Sequence, residues 1–104
     1  MTPGHAGGYA VDRFAHVDAQ ISALGKRAKA KGILADYIRA LEKILDELEN
    51  QPLDWGDPAY HPHHEDSTVC HASVGPVYVE YVVFEAEKVV MIMQIKAMPS
   101  SILD

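Results

Sequence analysis

The sequence predicts an α+β fold: a short N-terminal strand, two antiparallel helices packed on a small antiparallel sheet, and a C-terminal hairpin. Three observations predict it. The runs Val77 to Phe84 and Val89 to Met98 are dense in β-branched and aromatic residues, which suit a half-buried pleated surface, and the short polar break Glu85-Ala86-Glu87-Lys88 between them reads as a hairpin turn. Leu34, Ile38, Leu41, Ile44, Leu45 and Leu48 recur at helical spacing. A weaker stripe of the same period, Val17, Ile21, Leu24 and Ala28, precedes them.

Taken in order, Met1 to Gly8 is Gly-rich and reads as a leader, and Tyr9 to Phe14 alternates weakly as a short strand would. The first helix starts near Ala15. Its last turns carry Lys26, Arg27, Lys29 and Lys31, where cations complement the carbonyl end of a helix, and Gly32 is the stop. The second helix sets its leucine stripe against a polar face of Arg39, Glu42, Lys43, Asp46, Glu47 and Glu49, and Asn50 and Pro52 end it. Burying six such aliphatic side chains is worth on the order of 10 kcal/mol before chain entropy is set against it. Gln51 to Glu65 is rich in turn formers and reads as a loop, followed by a strand from Ser67 to Val74 that Gly75-Pro76 stops. In the hairpin the odd positions (Val77, Val79, Tyr81, Val83, Val89, Met91, Met93, Ile95, Ala97) are the apolar set. They share a face only across a loop of odd length, so a three-residue loop, Glu85 to Glu87, pairing Val83 with Val89 and Tyr81 with Met91, is expected. The domain spans 9–98, with 99–104 as a tail.

The totals narrow the function. A chain of 104 residues with 48% hydrophobic content supports one core. Fifteen acidic against nine basic residues, a net charge of −6, oppose a broad nucleic-acid surface. A lone cysteine, Cys70, cannot form an internal disulfide. No apolar run is long enough for a membrane helix and no signal peptide is recognisable, so a cytoplasmic protein without membrane contact is expected.

Leu41-x-x-Ile44-Leu45-x-x-Leu48-x-x-x-Pro52, the loop Trp55-Gly56-Asp57-Pro58, the strand Tyr78-Val79-Glu80-Tyr81-Val82-Val83 and the run Val89 to Ile95 stand in an order that resembles the RelE/ParE toxin superfamily of bacterial toxin–antitoxin systems. The likeness covers roughly residues 9–98. It implies the same α+β fold and an antitoxin or target protein as partner. It also implies either ribosome-dependent mRNA cleavage, with basic residues on the sheet and a Tyr, Arg or His after the last strand, or, in the ParE-like branch, binding to gyrase. Here 96–104 holds no Arg, His or Tyr, and the third strand carries Cys70 and His71 where such nucleases have Arg.

Two groups of residues are candidates for a site. The histidines His61, His63, His64 and His71 titrate near neutral pH, so they are the candidates for proton transfer if RNA is cut. No metal and no cofactor is expected, because the spacing matches no metal-binding motif; His61 and His63 would share one side of an extended segment and are the pair to hold a metal if one binds. Tyr78, Glu80, Gln94 and Lys96 would lie together on the second face of the sheet as a binding patch, with Trp55 as a further binding aromatic or as an anchor for its loop. Apolar residues at even positions, Val82, Phe84, Val90 and Ile92, would leave that face open to a partner: an antitoxin, another protein or a second copy of the chain. A protein-binding role is therefore expected first. A diverged member with a structural or regulatory role comes second, and a histidine-dependent ribonuclease third.

Overall fold

The two apolar C-terminal runs pair, and the sheet is built outward from them. The computed structural model describes residues 8–60, with only the backbone of Tyr60, and 67–104. The elements are β1 (Ala10–Arg13), α1 (Ala15–Ala30), α2 (Leu34–Asn50), a helical turn α3 (Pro52–Trp55), β2 (Asp57–Tyr60), β3 (Ser67–Val74), β4 (Val77–Phe84) and β5 (Val89–Ala97). They form one sheet of order β1-β5-β4-β3-β2 with the helices packed on one face. The architecture is thus α+β as expected, with two differences. β1 runs parallel to β5, so the sheet is mixed rather than antiparallel. These strands are joined through the whole rest of the fold, so no hairpin fixes their direction. The stretch expected to be a loop from Gln51 also supplies α3 and the edge strand β2, whose Pro58 is tolerated because it lies at the sheet's margin.

The hairpin register differs from the expected one. Val83 pairs with Val90 and Tyr81 with Ile92, because the loop has four residues and Lys88 closes it with φ +57°. A lysine gives no sequence signal for that left-handed conformation, which glycine or asparagine usually supplies. A one-residue shift would turn the whole of β5 over, but a β-bulge at Met93 shifts the register again, so that Val79 pairs with Ile95. Core parity therefore changes within one strand. Val90 and Ile92 are buried before the bulge and Ile95 after it, while Val89, Met91 and Met93 are only half-buried. Val90 and Ile92, expected on the open face, belong to the core.

Beyond the bulge β1 has ended, and α1 takes over the edge of β5. The Nε2 of His16 lies 2.7 Å from the Met93 carbonyl oxygen, and the Ile95 N–H donates to Gln20 Oε1 at 2.8 Å. Two backbone groups that would otherwise invite another strand are thereby satisfied.

α2 is rolled relative to its leucine stripe. Its buried side chains are Tyr37, Ala40, Ile44, Glu47 and Leu48, whereas Leu34, Ile38 and Leu45 are 36, 46 and 44% exposed. Tyr37 fixes the roll: it is buried and donates from its hydroxyl to the Ile21 carbonyl at 2.7 Å. Glu47, expected on the solvated face, is buried but paired, accepting from Lys43 Nζ at 2.6 Å and Gln51 Nε2 at 2.7 Å, which holds its carboxyl below the usual range. Residues 99–104, read as a tail, fold back on α1. Leu103 is fully buried in the core, and its carbonyl accepts from Arg27 Nη1 at 2.5 Å.

Candidate open-face binding site

Alternation along β3 and β4 sorts their side chains between two faces. Cys70, Ala72, Val77, Val79, Tyr81 and Val83 point at the helices. His71, Tyr78 and Glu80 point the other way, and the pairings Tyr78 to Lys96 and Glu80 to Gln94 bring β5 residues beside them. The contacts follow from that register. The Tyr78 ring stacks on His71 with centroids 6.0 Å apart and 26° between planes. Lys96 Nζ lies 5.0 Å from the Tyr78 ring centre, within cation–π range. Gln94 Nε2 donates to Glu80 at 3.3 Å. Burial, with the Glu80 carboxylate adding to it, raises the Tyr78 phenol above its ordinary value, so it remains a neutral hydroxyl. Further along the same face Phe84, Val89 and Met91 are half-buried, and Val82, expected to be open to a partner, is buried beside Val69 between them and the patch.

Four of the five residues expected to bind, Tyr78, Glu80, Gln94 and Lys96, are thus neighbours, and His71 joins them. Trp55 stands on the other side of the sheet. It stacks on Tyr81 with centroids 6.3 Å apart and is packed against the core, in the place of a loop anchor. His61, His63 and His64 lie outside the described residues, so the histidine cluster has His71 alone on the described sheet. Cys70 and His71 are adjacent in sequence and on opposite faces. Among the described residues, no group of three or more His, Cys, Asp and Glu side chains is placed to hold a metal ion.

The order of elements, with the helices on one face of the sheet and the His71–Tyr78–Lys96 patch on the other, has a counterpart among known proteins. No protein-family model and no curated protein matches the chain. Among solved structures, a chain of the archaeal RelE–RelB complex from Pyrococcus horikoshii OT3 superposes with a TM-score of 0.65 and 24% sequence identity, over 89% of this chain and 98% of that one. The fold is RelE-like. Among the described residues, no helix is long and apolar enough to cross a membrane.

Two features of this RelE-like chain escape a sequence reading. One is the pillar beneath the Trp55-Gly56-Asp57-Pro58 loop. There Tyr81 donates from its buried hydroxyl to the Pro52 carbonyl at 2.6 Å, and burial raises its phenol far above the ordinary range. The other is a groove of about 370 Å³ between β1, α1 and α2, floored by Val11, Ile21, Ile92 and Ile95, walled by Leu41 and Leu45, and rimmed by the Arg13–Asp18 ion pair. The roll of α2 exposes it, and the leucine stripe gave the only hint.

Proposed function

We propose that this RelE-like chain acts by binding another protein, as the toxin-like half of a toxin–antitoxin pair, with the partner seated on the open face of the sheet. The observation that carries this reading is the face opposite the helices: a stacking platform of Tyr78 with Lys96 and His71 shares it with half-buried Phe84, Val89 and Met91, none of them covered by a described helix. Mixed aromatic, aliphatic and paired polar groups are what protein interfaces use at their centres. Two facts accord with it: the matching solved structure is a complex of RelE with RelB, and the net charge of −6 disfavours a phosphate-rich ligand. The absence of Arg, His and Tyr from 96–104 leaves the ribonuclease constellation of the family incomplete.

RNA cleavage is the second reading, favoured by one observation: His71, Tyr78 and Lys96 share a face, as proton-transfer and phosphate-contacting groups would. Induced expression in a bacterial host, with growth and labelled-methionine incorporation followed together, separates the two. The binding reading expects growth arrest with translation initially intact, and equal arrest by a variant with alanine at His61, His63 and His64, which leaves the platform residues unchanged. Immediate loss of translation would assign the function to cleavage instead.

A further inference from the structure

We infer that two copies of this chain associate through α2, the exposed leucine ridge of each entering the groove of the other. The helix presents Leu34, Ile38, Leu41 and Leu45 at i, i+4, i+7 and i+11, an apolar ridge in which Leu34, Ile38 and Leu45 are exposed and Leu41 is half-buried against the core. Its two ends differ. Leu41 and Leu45 wall the groove over Val11 and Ile21, whereas Leu34 and Ile38 stand beyond it as a free ridge. A groove at one end and a ridge at the other end of one helix are self-complementary under a two-fold axis. An antiparallel pair then sets Leu34 against Leu45 of the second copy and Ile38 against Leu41, twice over.

Charge selects the same arrangement and the same occupant. The corner between α1 and α2 carries Lys26, Lys29 and Lys31, and the far half of α2 carries Glu42, Asp46 and Glu49. None of these six takes part in the ion pairs among the described residues, which join Arg13 to Asp18, Arg39 to Asp36 and Lys43 to Glu47. The helix pair is therefore basic at one end and acidic at the other. A parallel pairing would put like charges together; the antiparallel one lays the acidic half of each α2 beside the basic corner of the other. This inference does not rest on the open-face reading, since the two surfaces lie on different sides of the sheet.

Sedimentation equilibrium across micromolar concentrations tests it. The wild type is expected to pass from the mass of one chain to that of two. Ile38→Glu, at an exposed position where circular dichroism should show an unchanged fold, is expected to weaken association roughly 100-fold, and Lys31→Glu by about 10-fold at low salt. The double variant Lys31→Glu with Glu49→Lys recovers most of that second loss, because the two-fold axis swaps both members of each pair. Tyr78→Ala on the open face leaves the dimer intact. A single-chain mass for the wild type at every concentration, or a dimer indifferent to both Ile38→Glu and Leu34→Glu, would overturn the proposal and leave the ridge to a partner of different sequence.

Discussion

A Cβ on Gly56 would lie inside the Tyr81 hydroxyl oxygen, 2.9 Å from Cζ and 3.3 Å from the His71 carbonyl oxygen. Its φ of −89° is open to any residue, so glycine stands there for clearance rather than for backbone freedom. Gly56→Ala must displace Tyr81 or the loop, and is expected to cost about 2–4 kcal/mol in urea unfolding, from overpacking together with a strained buried hydrogen bond. Tyr81→Phe keeps the volume and leaves the Pro52 carbonyl without its donor, at about 1–2 kcal/mol. Of this pillar, the sequence displays the turn-forming string Trp55 to Pro58 and the core position of Tyr81, but not that they meet, since the contact joins residues 29 apart in the chain. Glu47 gives a pH-dependent prediction. Its carboxyl is held below the ordinary 4.5 by Lys43, with Gln51 assisting. The stability it contributes is whole above that ordinary value and is lost as pH falls through the lowered native one. The gap in urea midpoint between wild type and Glu47→Gln should therefore be open near neutral pH and close in acid. A gap of constant size would assign the effect to packing.

β5 shows what periodicity alone can and cannot deliver at the level of one element. Its composition announces a strand, and its odd residues Ile95 and Ala97 do lie on the core side, as alternation demands. The four-residue loop puts Val89, Met91 and Met93 on the other face until the bulge at Met93 restores the alternation, and nothing in a run of valines and methionines marks where the extra residue falls. α2 repeats the lesson: its aliphatic side chains make the better stripe, yet Tyr37, Ala40, Ile44 and Leu48 face the core, where the Tyr37 ring is buried and its hydroxyl donates to the Ile21 carbonyl. The α1 contacts with the β5 edge belong to this scale too. Gln20→Ala removes the acceptor of the Ile95 N–H and should cost about 1 kcal/mol. Hydrogen exchange is expected to show Ile95 losing protection ahead of its neighbours on β4; unchanged protection would mean that water replaces the amide without loss.

For the molecule as a whole, the fold class was legible because three long signals agree: the two apolar runs, the helical stripes and the turn-rich loop. The open-face patch was legible for Tyr78, Glu80, Gln94 and Lys96, whose parity is set by β4 and by the part of β5 beyond the bulge. The groove was not, since it exists only once α2 has rolled and β1 has docked in parallel on β5. A helix-covered face and an open face give the RelE-like unit two independent surfaces, so substitutions on one should leave binding at the other unchanged within about 0.5 kcal/mol. Isothermal titration of an open-face ligand against Ile38→Glu would check that independence.

Cys70 has a consequence of a different kind. The chain's one thiol is fully buried against Tyr81, and burial raises it above its ordinary value. Thiolate is the form that alkylates, so in the native state the sulfur is protected both by its protonation and by the layers over it. Alkylation can then proceed only when the sheet parts from the helices, and its rate in plain buffer becomes a clock for that opening. The natural sequence thus carries a built-in reporter, needing no introduced label, that ticks faster in Gly56→Ala and keeps native time in any variant confined to the surface.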